Sequence, residues 1–323
     1  MAERTPRLPL LPRRRLLVAA ACGVAPFSLR AQAGPVVEIG GGRIALRFED
    51  DVPAVQHGAV QRWVQVAASA VAGYLGRFPV ERLELHVRGV DGAGVMGGTT
   101  FADPEPTVRV RVGRATRTAH FDADWVLVHE MIHLAVPRVP RSQSWLHEGL
   151  ATYVEGAARV RAGLNTAPRL WAEWARGLPL GQPQAGDRGL DHTPTWGRRY
   201  WGGALFCLVA DVALLRRSDA RRGLRHALQG VLAAGGNYAV AWPAHEILAV
   251  ADAAVGQQTL VPLYESWKAS AVPVDLAQLW RDLGVGVGAG AGAGPGVAEV
   301  GGSAPAELSD AAPLAAVRRA ITG

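Results

Sequence analysis

The sequence predicts an α+β protein. A small N-terminal sheet lobe precedes a pair of helices around a His-Glu-x-x-His motif, and a mostly helical C-terminal lobe follows. Three observations lead to this class. Short stretches in which apolar and polar residues alternate, as they do along a β-strand, are confined to residues 34–120. An almost continuous apolar run encloses the motif at 122–135, and helical apolar spacing dominates from residue 200 to about 269.

The first 33 residues have the composition of an export signal. Arg13, Arg14 and Arg15 precede an apolar stretch from Leu16 to about Leu29, and small residues at 31–33 offer a cleavage site. The stretch is too short to span a bilayer comfortably, so we expect no integral membrane span. The arginine cluster favours twin-arginine export to the periplasm or medium. A lipoprotein anchor at Cys22 is the less favoured alternative, because its preceding residues lack the usual leucine.

Removal of this segment changes the charge of the chain. The segment carries six arginines and one glutamate, so the formal net charge falls from +6 to +1 without it. The sequence pI of 10.0 therefore gives no reason to expect a nucleic-acid partner. Cys207 would remain alone in an apolar helix, where a small buried hydrophobe is the ordinary interpretation.

The N-terminal lobe begins with two strands between Val36 and Phe48 joined by a glycine turn. A long amphipathic helix is predicted from Val55 to Arg77, with its apolar face at Val60, Val64, Ala67, Val71 and Leu75. Alternating residues at 83–88 and 108–112 predict two half-buried strands.

The motif His129-Glu130-x-x-His133 lies in the apolar run at 122–135, which we expect to be one short helix. Residues four apart share a helix face, so both imidazoles can reach one metal ion. Glu130 lies about 100° further round the helix, where its carboxylate can act as general base on a zinc-bound water. The alternative is a core helix whose histidines bond only to carbonyls. Buried polar side chains without a partner are costly, which favours the metal.

A second helix follows two prolines and carries the remaining candidate ligands. A catalytic zinc takes three protein ligands and leaves one position open. Glu148 and the adjacent His147 are both able to supply the third ligand. Gly149 would let two helix backbones approach closely, and Glu155, two turns further on, would accept a hydrogen bond from a ligating imidazole.

These two segments, His-Glu-Met-Ile-His and Trp-Leu-His-Glu-Gly-Leu-Ala-Thr-Tyr-Val-Glu, resemble the gluzincin zinc metallopeptidases. The closest likeness is to the glycyl-aminopeptidase group and related peptidase MA-like domains. The resemblance implies a thermolysin-like catalytic domain and assigns the third zinc ligand to Glu148. Metzincins fit poorly, because Val136 and Val139 stand where that pattern needs glycine and histidine. The helix of thermolysin itself carries a different sequence after its glutamate.

The resemblance extends to two further segments. Residues 198–206 are similar to the Tyr-x-Lys-Gly-Ala-Leu segment of gluzincin aminopeptidases, which implies that Tyr200 donates a hydrogen bond to the oxyanion. A glycine-rich stretch at 94–98 is a counterpart of their substrate-binding edge strand, with Gly97 and Gly98 as main-chain contacts. It lacks the glutamate that holds the substrate amino terminus, so exopeptidase action does not follow. Simple packing of Tyr200 and a plain hairpin turn at 92–101 are the alternatives.

The C-terminal half predicts five helices, followed by a tail rich in glycine, alanine and proline. The helices are expected at 170–176, 200–217, 220–234, 243–255 and 260–269. We therefore expect a metallopeptidase-like domain over 34–283, with its sheet lobe at 34–120 and its zinc helices and helical lobe at 121–283. A flexible tail is predicted over 284–323, and no site is expected in it.

Taken together, the sequence predicts an exported zinc-dependent hydrolase that acts on a peptide or protein substrate. Two alternatives remain. The same fold and zinc can serve a binding or maturation factor without catalysis, or the two helices can be purely structural.

Overall fold

A five-stranded mixed sheet forms the N-terminal part of the structure, a computed structural model that describes residues 34–49, 51–286 and 304–323. Its strands are β1 (Val36–Ile39), β2 (Gly42–Phe48), β3 (Arg82–Val90), β4 (Val95–Phe101) and β5 (Thr107–Gly113). They lie in the order β1-β2-β3-β5-β4. The inner strands β2, β3 and β5 are parallel, and both edge strands are antiparallel to their neighbours. The predicted export segment, 1–33, lies outside the described residues.

The long helix α1 (His57–Leu75) connects β2 to β3, as parallel pairing of those strands requires. Its five predicted apolar positions are all buried. The helix ends where Gly76 turns into the left-handed region at φ 80°, a conformation that glycine adopts without a side-chain clash. The predicted strand alternation also holds, because Leu83, Leu85 and Val87 are buried on β3 while Arg82 and Arg88 are exposed. One sheet face thus joins the core and the other faces solvent.

Helices make up most of the rest of the described chain. They are α2 (Thr118–Asp122), α3 (Val126–His133), α4 (Ser144–Arg161), α5 (Ala167–Gly177), α6 (Gly203–Arg216), α7 (Leu224–Ala233), α8 (Ala244–Val255), α9 (Leu260–Lys268), α10 (Leu276–Leu283) and α11 (Ala315–Thr322). A π-helical turn, Arg198–Gly202, leads into α6. Two short strands, β6 (Val285–Gly286) and β7 (Glu307–Leu308), pair with each other. None of the helices in the described ranges combines the length and hydropathy that a membrane span requires.

The prediction of a flexible tail over 284–323 differs from the structure in its described parts. Residues 284–286 and 304–323 fold back on the helical lobe through the β6–β7 pair and α11. Val317 and Ile321 on α11 are buried, and the Arg161 guanidinium of α4 donates to the Ala320 carbonyl at 2.6 Å. The glycine- and alanine-rich composition concealed a short amphipathic helix that follows it. The stretch 287–303 lies outside the described residues.

We predict that Ile321→Ala lowers the free energy of unfolding by about 2–4 kcal/mol, since it leaves a cavity where α11 meets the core. Urea denaturation measures this change. Ala316→Ser, on the exposed side of the same helix, is the matched control and should stay within about 0.5 kcal/mol of the original protein. Equal stability of Ile321→Ala and the original protein would restore the flexible-tail interpretation.

Candidate metal and catalytic site

The helix that carries the motif is shorter than predicted, because it begins at Val126 rather than near Asp122. The Asp124 carboxylate accepts from the amides of Val126 and Leu127, both at 3.1 Å, and from the Trp63 indole at 3.0 Å. These bonds satisfy amides that the first helical turn leaves without a partner. Asp124 therefore fixes where α3 starts and ties it to α1.

The structure brings His129, His133 and Glu148 together. Glu148 Oε2 lies 3.5 Å from His129 Nε2 and 3.4 Å from His133 Nε2. One ligand atom from each of the three residues lies within 4.8 Å of the others. Zinc bonds of ~2.0–2.1 Å in tetrahedral geometry place ligand atoms about 3.4 Å apart. The donor set and its spacing therefore fit a zinc ion.

The three groups perturb one another strongly. Burial raises the pKa of Glu148, but hydrogen bonds and charge from the two imidazoles outweigh it and hold that pKa well below its usual range. Burial lowers the pKa of His129. For His133, burial also lowers the pKa, but the Glu148 hydrogen bond and charge outweigh it, so the net shift is upward. A metal ion favours the same ionised carboxylate and needs both imidazoles neutral.

His147, the competing third ligand, is held elsewhere. Its Nε2 lies 2.6 Å from the Pro137 carbonyl, and its ring is buried. Burial lowers the pKa of His147 to about 4, so the neutral ring donates from Nε2 to that carbonyl. The geometry therefore favours Glu148 over His147 as the ligand from α4.

Gly149 serves a different contact from the one predicted. An added Cβ would lie 2.3 Å from the backbone of Gly203, so the close approach joins α4 to the start of α6. The helix α3, which carries the motif, is not the partner in this crossing. The crossing brings Tyr200, three residues before Gly203, close to the motif, with its ring centre 6.5 Å from that of His129.

Tyr200 lies in the π-helical turn, lines the same cavity as Glu148, and stacks with its ring centre 6.5 Å from that of His129. Burial and the negative charges of Glu148 and Glu130 raise the pKa of Tyr200 to about 12, against an opposing effect of Arg199. Arg198, also in the turn, is buried and paired with Asp187 at 2.7 Å. The turn is thus anchored, and its tyrosine stays protonated and able to donate at neutral pH.

Glu155 does not support a ligating imidazole, contrary to the prediction. Its carboxylate lies 3.4 Å from Arg159 Nη1, and burial raises the pKa of Glu155 to about 8. His129 Nδ1 has no hydrogen-bond partner among the described residues. Seven residues along a helix return to the same face but advance about 10 Å along the axis. Shared face alone does not bring Glu155 to the metal ligands.

The edge strand β4 contributes Gly98, Thr99 and Thr100 to the lining of the cleft and positions Glu130. An added Cβ on Gly98 would lie 2.5 Å from Glu130 Cγ, so only glycine leaves room for this side chain. The Thr100 hydroxyl lies 2.7 Å from Glu130 Oε2 and 2.9 Å from its carbonyl oxygen. Gly97 faces away from the cleft, toward Arg111.

The cleft has a volume of ≈ 440 Å³, and its lining includes residues that the sequence analysis missed. These are Thr99, Thr100, Arg138, Val139, Ser144 and Tyr238. Arg138 pairs with Asp103 at 3.0 Å, and the Tyr238 hydroxyl lies 3.4 Å from the Thr100 carbonyl. Thr100 follows the glycines in the predicted edge-strand segment, but only its place beside α3 reveals its role.

The fold is similar to that of a solved structure. An aminopeptidase N family protein from Idiomarina loihiensis aligns with a TM-score of 0.61 and 13% identity over 78% of this chain and 49% of that one. An M1 zinc metallopeptidase from Deinococcus radiodurans aligns with a TM-score of 0.48 and 15% identity over 76% of this chain and 52% of that one. The chain thus spans about half the length of these proteins. The first alignment confirms the predicted likeness to gluzincin peptidases at the level of the fold. No family model and no curated protein matches the sequence.

We predict that Glu148→Ala weakens zinc affinity by more than about 100-fold, because it removes one of three converging ligands, whereas loss of an outer partner costs 10- to 100-fold. Metal content after dialysis and competition with a chelator measure the change. His147→Ala is the matched neighbour. It should keep zinc while losing about 1–3 kcal/mol of stability, because the Pro137 carbonyl is left unpaired. The reverse order of zinc affinities would reassign the third ligand to His147.

Proposed function

We propose that this protein is a zinc-dependent peptidase, with His129, His133 and Glu148 as metal ligands and Glu130 as general base. The observation that carries the proposal is the spacing of the three ligand atoms beside a separately positioned carboxylate. The fold shared with a member of the aminopeptidase N family supports the same reaction class, although that likeness covers about half of the other chain.

Zinc held by these residues supplies Lewis acidity toward water and the scissile carbonyl. The chain supplies the proton transfers. Glu130 lines the same cleft, with one oxygen held by Thr100. It takes a proton from the attacking water and delivers it to the departing amide nitrogen. Gly98 leaves the space in which the Glu130 side chain lies.

Tyr200 is placed to stabilise the oxyanion that develops on the scissile carbonyl. Its ring centre lies 6.5 Å from that of His129 in the same cleft, and its raised pKa keeps the proton on the phenol. A protonated phenol fixed at the rim of a partly buried cleft donates a hydrogen bond without reorganisation during the reaction. The Arg198–Asp187 pair below it keeps the turn in place.

The substrate is proposed to be an extended peptide that pairs with β4 through main-chain groups. β4 is an edge strand, and Gly98, Thr99 and Thr100 line the cleft. Within the described chain, Glu130 and Glu148 are the carboxylates that line this cleft. Both are assigned to the reaction, so neither is left to bind a free α-amine. Strand addition therefore gives the better account of substrate binding than capture of an amino terminus.

We predict that Glu130→Gln lowers peptide hydrolysis by at least about 100-fold while zinc content is unchanged, because the amide cannot accept the water's proton. A peptide-library cleavage assay with parallel metal analysis measures both quantities. Glu246→Gln, the same carboxylate-to-amide change at an exposed position of α8 outside the cleft, is the matched control and should keep both zinc and activity. Undiminished hydrolysis by Glu130→Gln would refute the mechanism. A fully zinc-loaded original protein that cleaves no peptide would instead favour the non-catalytic binding factor.

We also predict that Tyr200→Phe lowers kcat by about 100- to 1,000-fold, the range observed when one oxyanion donor is lost. The Michaelis constant and the zinc content should change little, since the ring is retained and only the hydroxyl is removed. Steady-state kinetics with a cleaved peptide measure this split. A variant with raised KM and normal kcat would place Tyr200 in ground-state substrate binding rather than in catalysis.

A further inference from the structure

Two arginines on β5 reach across β4 toward the edge where the substrate is proposed to bind. Arg109 lies directly opposite Thr99 in the antiparallel register, on the solvent face of the sheet. Its guanidinium carbon lies 5.0 Å from the centre of the Phe101 ring on β4. This stacking holds the charge over the edge strand instead of leaving it free in solvent.

Arg111 lies two residues after Arg109 on β5, and its side chain also crosses β4 on the solvent face. Its Nη2 donates to the Met96 carbonyl of β4 at 2.8 Å. An added Cβ on Gly97 would lie 3.0 Å from that nitrogen. Gly97 therefore leaves the solvent face of β4 open, and the Arg111 side chain lies across it. Both guanidinium groups are held toward the free edge of the sheet.

The other charges on this face largely balance. Arg47 pairs with Glu84 at 2.9 Å, and Arg88 lies 3.5 Å from Glu49. Neither Arg109 nor Arg111 forms an ion pair with a carboxylate among the described residues. They are thus two positive charges without a matching negative charge, placed beside the proposed substrate strand.

The arginine groove and the active-site cleft share a wall. A cavity of ≈ 480 Å³ on the solvent face is lined by Arg109, Arg111, Phe101, Gly98 and Thr99. Its other charged or titratable lining residues are His86, Arg88 and Glu49, and Glu49 is the carboxylate that pairs with Arg88. Gly98 and Thr99 also line the active-site cleft. The two spaces lie on opposite faces of β4, and a strand added at its edge would border both.

Strand geometry then sorts the side chains of the substrate. Successive side chains of a β-strand point to opposite faces of the sheet. On a peptide paired with β4, residues on the inner face would lie beside Gly98 and Thr100, in the cleft. The residues between them would lie beside Thr99 and Phe101, facing the two arginines.

We propose that Arg109 and Arg111 form an anion-binding subsite that selects peptides with aspartate or glutamate at alternate positions next to the cleaved bond. The proposal rests on the peptidase function and names its substrate class. Arg138 is the competing cation in the cleft itself. It is paired with Asp103 and also donates to the Ala239 carbonyl at 3.4 Å, so its charge is already balanced. In the simpler alternative, the two arginines only protect the exposed strand edge from pairing with other chains. They would then give no preference for acidic residues at particular substrate positions.

The test uses one cleaved ten-residue fluorogenic peptide and derivatives with Glu or Gln at each of three positions on either side of the cleaved bond. We expect kcat/KM to be about 5- to 10-fold higher for Glu than for Gln at alternate positions, as two partly exposed ion pairs would give. The ratio should fall toward one in the Arg109→Gln, Arg111→Gln double variant and at high salt. Arg82→Gln, which removes one positive charge on β3, a strand separated from β4 by β5, should keep the ratio.

A charge-reversed variant guards against a folding defect in the double variant. Arg109→Glu should prefer Lys over Gln at the same positions, an inversion that general loss of structure cannot produce. A ratio of one in the original protein, or an unchanged ratio in the double variant, overturns the subsite.

Binding of the same Glu and Gln peptides to the Glu130→Gln variant, measured by fluorescence anisotropy, separates this proposal from the function itself. If no peptide is cleaved but the Glu peptide still binds more tightly through the two arginines, the subsite stands and the catalytic proposal fails. If peptides are cleaved and bound without a preference for Glu, the peptidase stands and the subsite fails.

Discussion

Two imidazoles and one carboxylate meet in a largely buried space between α3 and α4, and the other parts of the site are arranged around this contact. His129, Glu130 and His133 are each less than 10% exposed. Polar groups so placed destabilise a fold unless they find partners. Glu148 lies within 3.5 Å of both histidines, and a zinc ion at the same point would bind His129, His133 and Glu148. The relative position of the two helices is therefore constrained by chemistry as well as by packing.

The backbone around this point is shaped by glycine. Gly149 allows α4 to touch the start of α6 at Gly203, and that crossing brings the Tyr200 ring near the ring of His129. Gly98 gives Glu130 its space against β4. A methyl group at either position would push apart elements that the proposed reaction needs within a few ångströms of each other.

The edge strand β4 has two faces with separate tasks in the proposed enzyme. Its inner face holds Glu130 through Thr100. Its outer face supports the guanidinium groups of Arg109 and Arg111, which Phe101 and the bare backbone at Gly97 allow to lie across it. Because strand side chains alternate between faces, one added peptide strand would place side chains on both faces of β4. Catalysis and substrate choice would then be separable, although they depend on the same seven residues of β4.

Local pattern determined much of this protein from sequence alone: the apolar face of α1, the alternation of β3 and β5, and a helix that presents two histidines four residues apart. Each depends on the period of one helix or strand, which the sequence displays directly. The rest depended on which elements meet. The sequence set His147 beside Glu148, but only the fold turned His147 to the Pro137 carbonyl. Glu155 lies on the same face of α4 as Glu148 but two turns further along the helix, too far to reach the imidazoles. The glycine- and alanine-rich composition before residue 304 gave no sign of the packed helix at 315–322. The contacts of Thr100 with Glu130 and of the β5 arginines with β4 exist only because the strands pair, since contacts between distant segments are set by packing and not by periodicity.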